Sequence, residues 1–428
     1  MQNFKRMEPV LAGLIKGRFG SLNEVQKRAW PVVKNKGNAL IIAPTGFGKT
    51  EAALLPVLDG LVEEGMKREG VQVLYITPLK ALNRDMLGRM KWWCRRLGLS
   101  IGVRHGDTSQ SERKKQASKP PQVMITTPET LAAMLISKRL GPALGKVKAV
   151  VIDEVHELFS SKRGAQLSLS LERMVWRTGR EFQRIGLSAT IGDAEGVARF
   201  FSGDRPCTVV DVGRERKIEL RVVMPREARD YELASKLHVD VGALGRLQYL
   251  KEEIARGKTL VFVNTRSSAE MLASRLLKMG CKIAAHHGSL SREARLVSEE
   301  EFKKGSIDAL VCTSSLELGI DIGHVGRVVQ YSSPRQAVRL VQRAGRSGHG
   351  EKLVPRGIVI ATDPHDLLEC EAIKERALKG ELEQSKMIRP ALDVLAHAFA
   401  GIAVERGALD LKRVLKEVGR AAPYAGLE

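Results

Sequence analysis

Short apolar runs rich in β-branched residues alternate with longer amphipathic stretches over most of the chain, the pattern of βαβ units and parallel sheets. In the first half the runs fall at residues 38–43, 71–77, 100–104, 122–126, 147–153 and 183–188, separated by helix-length segments such as 49–64. The pattern weakens over residues 207–231, where Asp211, Gly213, Pro225 and mixed charges predict a linker leading into an edge strand. It resumes at 259–264, 282–285, 308–313, 327–331 and 357–362, after which the strands stop and Gly380, Pro390, Gly401 and Gly407 punctuate helices. The expected fold class is α/β: two tandem domains, each a parallel β-sheet flanked by helices, plus a short helical C-terminal tail. The expected boundaries are 1–205, a linker with its edge strand at 206–235, 236–378, and the tail at 379–428.

Charge sharpens this picture. The chain carries 70 Lys plus Arg against 49 Asp plus Glu, a formal charge of +21, which points to a polyanionic partner. A hydrophobic fraction of 43 % is enough to build sizeable cores and argues against disorder. No stretch approaches the ~18 uninterrupted apolar residues of a membrane span. The apolar run 9–15 after Lys5 and Arg6 ends at Lys16 without a cleavage pattern, so export is not expected. Five scattered cysteines include no Cys-x-x-Cys pair, which fits a reduced cytoplasmic interior rather than a zinc or disulfide framework.

Two segments carry candidate chemistry. Ala43-Pro44-Thr45-Gly46-Phe47-Gly48-Lys49-Thr50 follows an apolar strand and opens a helix, the setting of a P-loop. Backbone N–H groups of the Gly46–Gly48 turn and the helix N-terminus would cradle phosphates, with Lys49 adding charge, Thr50 holding Mg²⁺ and Glu51 next along. Ala43 stands where the usual pattern has its first glycine. Gly257-Lys258-Thr259 repeats the triplet before a strand instead, and reads as a helix stop. The apolar run 147–152 ends in Asp153-Glu154-Val155-His156, placing two carboxylates at the C-terminal edge of a parallel sheet. Asp153 would anchor Mg²⁺ and Glu154 would orient and deprotonate water.

These motifs, in order, resemble a superfamily 2 DExH-type helicase core spanning residues 19–362, which implies RecA-like domains. Gln26 resembles the adenine-reading glutamine, with Phe19 either against the base or in the core. Thr77-Pro78-Leu79-Lys80 with Arg84, and Thr127-Pro128-Glu129, resemble nucleic-acid-gripping motifs. Ser188-Ala189-Thr190 resembles the element coupling hydrolysis to strand movement. Phe262-Val263-Asn264-Thr265-Arg266 and His287-Gly288-Ser289 are similar to backbone-contact motifs. Thr313 through Gly319 to Asp321 resembles the motif spanning nucleic acid and ribose, and 342–349 the arginine-finger motif, with Arg346 as finger and Arg343 in support. His156 reads as a link from the metal motif to the finger motif or to Ser188-Ala189-Thr190, or as a satisfied core histidine.

Finer wording, including Ile76-Thr77-Pro78-Leu79-Lys80-Ala81-Leu82-Asn83-Arg84-Asp85, Val103-Arg104-His105-Gly106-Asp107-Thr108 and Asp153-Glu154-Val155-His156-Glu157-Leu158, resembles the large helicase-related (Lhr) proteins. That family implies a Mg-ATP-driven translocase on single strands, moving 3′ to 5′ and displacing partners from DNA or hybrids, often in repair. It continues into a winged helix near where this chain stops, so a compact or shortened relative is expected. The expected partners are single-stranded and partly duplex DNA or RNA, bound by a monomer near the nucleoid. An ATP-gated clamp or annealing protein is the alternative.

Two further segments have plainer readings. In the run 89–96, Trp93 falls at core spacing and Trp92 is left open to stack on a base. The basic run 113–119 reads as a solvated loop.

Overall fold

The computed structural model describes residues 7–44, 46–65, 69–78, 80–212, 218–317, 322–347, 354–407 and 410–427, with the side chains of 80–85 set aside. The chain divides into two compact units: residues 1–43, 48–212 and 384–428 form one, residues 44–47 and 213–383 the other.

Among the described residues the first unit holds a seven-stranded sheet ordered β3-β4-β2-β5-β6-β1-β7. Its strands are β1 (Asn38–Ile42), β2 (Val73–Ile76), β3 (Ile101–Arg104), β4 (Val123–Thr126), β5 (Ala149–Ile152), β6 (Gln183–Ser188) and β7 (Cys207–Asp211). Every pairing is parallel. The central strands β2, β4, β5 and β6 are buried along their whole length, which is why β2, β4 and β5 read as near-continuous apolar runs rather than alternating ones, while β6 keeps Gln183 on the Val33 and Gly37 carbonyls and Arg184 on Glu172.

Among the described residues the second unit holds six parallel strands in the order β10-β11-β9-β12-β13-β8. They are β8 (Glu219–Val223), β9 (Thr259–Phe262), β10 (Ile283–His286), β11 (Ala309–Cys312), β12 (Arg327–Tyr331) and β13 (Arg356–Ile360). The α/β expectation holds: both sheets are parallel and helix-flanked. The stretch expected as linker contributes an edge strand to each sheet, β7 to the first and β8 to the second.

The tail returns to the first unit. Helices Leu392–Arg406 and Leu411–Val418 lie on the helix Lys162–Thr178, where Leu395, Ile402, Val414 and Val418 share a core with Ala165 and Leu169. Charge fixes the register. Arg173 and Arg177 both bond Glu405, and Arg406 stacks 3.8 Å over Trp176. Arg420 bridges Asp204 and Glu181, which continue through Arg205 to the buried Glu172–Arg184 pair. The basic run 113–119 is not a loop. Ser109 caps the helix Gln110–Ser118, and Arg113 folds back to bond the carbonyls of His105, Gly106 and Thr108. No helix among the described residues is long and apolar enough to cross a membrane.

Candidate nucleotide and nucleic-acid sites

In the first unit three adjacent strands, β5, β6 and β1, end side by side, with Ile42 paired to Ser188 and Ile152 to Gly186. Neighbouring strands lie roughly 4.8 Å apart, so groups at the ends of β5 and β1 fall about 10 Å from one another with β6 in the middle. Lys49 opens the helix after β1, Asp153 and Glu154 follow β5, and Ser188 closes β6. The sheet thus assembles three segments that are far apart in sequence.

Lys49 is buried and donates to the carbonyl of Ala43 at 2.6 Å. The position that departs from the usual glycine therefore supplies an acceptor through its backbone, which any residue has. Gly46 and Gly48 take φ of +84° and +70°, a region that favours glycine. Gly48 is needed for a second reason. A Cβ there would lie 2.9 Å from Gln26 Nε2. Gln26 is buried and its Oε1 accepts from the Asn23 N–H at 3.1 Å, closing a capping box on the helix Glu24–Lys34. The box fixes the amide and turns Nε2 toward the loop. Pro44, Gly46 and Phe47 line the same turn, and Thr45 lies outside the described residues.

Asp153 is buried on β5, where Oδ2 accepts from Tyr75 Oη at 2.9 Å and Oδ1 from the Glu154 N–H at 3.0 Å. Burial and then the neighbouring Glu154 charge push the Asp153 carboxyl well above the carboxylate range, against the Tyr75 hydrogen bond and Lys49. Glu154 sits at φ +43°, a left-handed conformation that costs a non-glycine residue roughly 1–3 kcal/mol, and such strain clusters at functional sites. Its Oε2 is buried without a hydrogen-bond partner, 3.6 Å from His156 Nδ1. Thr50 contacts Met86 Sδ at 3.8 Å and also bonds Tyr75. Glu51 is held by Arg89 at 2.8 Å.

These groups fit a hydrated Mg²⁺. Among the described residues no cluster of three or more His, Cys, Asp or Glu forms a closed cage. Mg²⁺ uses few: one or two carboxylates plus phosphate oxygens and water. An orphaned carboxylate oxygen and an acid pair that disfavours double ionisation are what a divalent cation relieves. Asp153 and Thr50 would hold it, and its chemistry would be charge neutralisation on phosphate.

His156 Nδ1 lies 3.0 Å from Ser188 Oγ, joining the acidic motif to the Ser188-Ala189-Thr190 segment within one unit. Burial holds its imidazole below the ordinary range, Glu154 opposing and Lys49 adding to the effect. Ser188 and Ala189 are buried and Thr190 half-buried. Thr77 is fully buried, with its N–H on the Thr126 carbonyl. Thr127 caps the helix Pro128–Leu135 with Pro128 in its first turn, and the Pro78 carbonyl accepts from Arg163 at 2.6 Å. The side chains of Lys80 and Arg84 lie outside the described residues. Trp93 is buried, as its spacing predicts, whereas Phe19 is 42 % exposed with its ring 5.7 Å from that of Trp93, and Arg18 lies 4.3 Å over Trp92, so one face of the Trp92 indole is already covered.

In the second unit Thr265 and Arg266 are exposed at the start of the helix Arg266–Lys278, which Thr265 caps, and Ser289 is exposed. His287 is buried, its Nε2 3.1 Å from Glu270 Oε1. Thr313 follows β11, with its N–H on the His286 carbonyl at 3.4 Å. Gly319 and Asp321 lie outside the described residues. Arg343 and Arg346 are each 1 % exposed. Arg343 bonds Glu317, Gln330 and Asn264, and Arg346 bonds the Glu317 carbonyl at 2.6 Å.

Sequence reasoning passed over Tyr75, Arg163, Gln330 and Glu317 as site residues. Tyr75 left a signal: a phenol in a fully apolar strand must find a partner for its hydroxyl. The others became visible only when the strand ends met.

Comparison with known proteins agrees with this geometry. Residues 23–197 match the DEAD/DEAH box helicase family and residues 244–351 the helicase conserved C-terminal domain. The chain is 38 % identical to the ATP-dependent helicase Lhr-Core protein 2 of Thermococcus barophilus, covering 96 % of this chain and 50 % of the relative. It is 37 % identical to the Lhr helicase/uracil glycosylase of Escherichia coli, covering 96 % of this chain and 30 % of that protein. The chain thus spans half the length of these relatives or less. The solved structure of Mycobacterium smegmatis helicase Lhr bound to ssDNA and AMP-PNP superposes with a TM-score of 0.88 at 34 % identity, covering 100 % of this chain and 57 % of that one. Fold alone is shared with S. cerevisiae Dbp5 bound to RNA and ADP BeF3, at a TM-score of 0.68 and 21 % identity. The chain carries a superfamily 2 helicase core, its two parts matched by the two helicase family models, and over that core it is similar to the Lhr proteins.

Proposed function

We propose that this chain is a nucleic-acid-dependent ATPase that turns Mg-ATP hydrolysis into movement along single-stranded nucleic acid, 3′ to 5′, displacing a complementary strand during DNA repair or recombination. The observation that carries this reading is the buried Asp153–Glu154 pair at the ends of β5, β6 and β1, with an unsatisfied Glu154 oxygen facing His156 and Lys49 at the P-loop helix. Phosphoryl transfer to water needs positioning and charge neutralisation more than covalent chemistry. Lys49 and the loop N–H groups bind phosphate, Gln26 reads adenine, and Glu154 takes a proton from the attacking water. Arg346 of the second unit adds positive charge as the bond to the leaving group breaks.

His156 and Ser188 carry nucleotide state to the strand-gripping segments. Thr77, Lys80, Thr127, Thr265, His287, Ser289 and Thr313 grip the strand. Hydroxyls and backbone N–H groups on phosphates carry no base code, so binding is independent of sequence. The Lhr relative bound to ssDNA and AMP-PNP supports DNA as the track.

The test is ATP turnover with and without single strands, followed by displacement on 3′-tailed and 5′-tailed duplexes of DNA, RNA and hybrid. Stimulated turnover with displacement only from 3′ tails is expected. Stimulated turnover without displacement from any tail would replace the motor with an ATP-gated clamp.

A further inference from the structure

The two arginines of the finger motif converge on one residue. Arg343 donates from Nε to Glu317 Oε1 at 2.6 Å and again from Nη2, while Arg346 donates from Nε and Nη2 to the Glu317 carbonyl at 3.2 and 2.6 Å. Arg343 has further anchors. Its Nη1 reaches Gln330 and, at 3.5 Å, Asn264, and its guanidinium lies 5.3 Å over the Phe262 ring. Phe262 pairs with Cys312 on one side and Gln330 on the other, so these anchors sit at the aligned ends of β11, β9 and β12. A planar guanidinium held along several edges in a buried site is a rigid part, not a swinging one.

What Arg343 holds still is Glu317. With the carboxylate clamped, the residue's own peptide has a set direction, and its carbonyl is the acceptor for Arg346. The same carbonyl precedes residues 318–321, the stretch whose Gly319 and Asp321 the helicase resemblance implies for ribose. We propose that Glu317 is a positioning residue for ATP hydrolysis: fixed by Arg343, it presents its carbonyl to Arg346 and so sets where the finger guanidinium points. This rests on Arg346 acting as the finger, and it changes Arg343 from a second finger into a post. A purely structural ion pair would make a different prediction. Its loss would lower thermal stability and leave turnover per folded molecule unchanged.

The experiment uses the full chain with saturating single-stranded DNA. It compares the parent with E317Q, E317D, R346A and E317Q/R346A for kcat, KM for ATP, affinity for a fluorescent ATP analogue, and melting temperature. E317Q is expected to lower kcat at least tenfold while KM and analogue affinity stay within twofold. E317D should recover part of the loss. Adding R346A to E317Q should cost less than a third of what R346A costs alone, because the finger is already misplaced. R346A leaving kcat within threefold of the parent would sink the finger reading itself, whatever Glu317 does. A slow R346A beside a folded E317Q that turns over within twofold of the parent would overturn the positioning role alone, as would losses that simply multiply. If E317Q does not fold, R343K carries the same expectations, since it keeps the charge and loses the fork. Failure of both variants to fold would make Glu317 a structural residue and end the proposal.

Discussion

The two units treat buried charge in opposite ways. The first concentrates negative charge and leaves it under-satisfied: Asp153 and Glu154 are adjacent and buried, one Glu154 oxygen has no hydrogen-bond partner, and the Glu154 backbone is in a left-handed conformation. The second concentrates positive charge and pairs it: Arg343 and Arg346 are equally buried, yet Glu317, Gln330 and Asn264 accept their hydrogen bonds. Taking a charge out of water costs several kcal/mol, so a buried charge is stable only with partners. An acidic site short of donors is one that a cation would stabilise. A basic site already supplied with acceptors is built to hold its shape.

Substitutions should break this contrast in graded steps. The largest effect is expected at the unsatisfied side: Glu154→Gln should cut steady-state hydrolysis by about 10²–10⁴-fold, the usual worth of a general base, while ATP-analogue binding stays intact. Retention of most turnover in that variant removes Glu154 from the chemistry. Next come the two arginines, which should separate. Arg346→Ala should slow hydrolysis about 10³-fold with little loss of stability, by the worth of an arginine finger. Arg343→Ala leaves the half-buried Glu317 without its partner and should cost toward the lower end of roughly 3–5 kcal/mol in a denaturation midpoint experiment on the folded chain. Equal stability losses for the two would erase the distinction between finger and post.

A smaller effect is expected at Ser188→Ala, which removes the hydroxyl 3.0 Å from His156. Basal turnover should persist while the stimulation by single strands falls severalfold, measured as the ratio of the two rates. An unchanged ratio would show that coupling takes another route.

The smallest effect concerns pH. Glu383 accepts from the N–H groups of Ala337 and Val338 at 2.9 and 3.0 Å, capping the helix Ala337–Ala344 that carries Arg343. Burial works against its charge, but these backbone bonds win and hold the carboxyl below the ordinary range. A depressed folded value means that the stabilisation is fully present above the unfolded pKa of about 4.3 and is lost as pH falls through the folded value. Glu383→Gln should therefore flatten the acid limb of the melting temperature below that pH and leave the neutral plateau almost level. Parallel acid limbs in the two proteins would refute it.

How legible was the molecule beforehand? Strand positions were nearly complete, because parallel strands covered on both faces must be apolar throughout, and such runs stand out against amphipathic helices. At 206–235 the sequence predicted a linker with one edge strand where the fold has two, Cys207–Asp211 and Glu219–Val223, for the converse reason: half-exposed edges mix polar and apolar residues. The basic run 113–119 was read as a loop because composition outweighed the cap that Ser109 offers. That residues 43–50 would turn from a strand into a helix, and that Asp153 and Glu154 would stand at the end of an apolar strand, was legible because glycines before a helix and carboxylates closing an apolar run are local patterns.

What the linear order of residues determined, then, is which segments form strands, where their C-terminal ends lie and which reactive groups stand there, since burial pattern and turn chemistry are local. Which of those groups touch was decided only in three dimensions. Ser188 reaches His156 because β6 lies between β5 and β1, and Glu317 collects both arginines because the ends of β11, β9 and β12 align. Residues 384–428 come back to the first unit because Glu405 and Arg420 find partners on Arg173, Arg177, Glu181 and Asp204, a match of charges more than two hundred positions apart that no local pattern records.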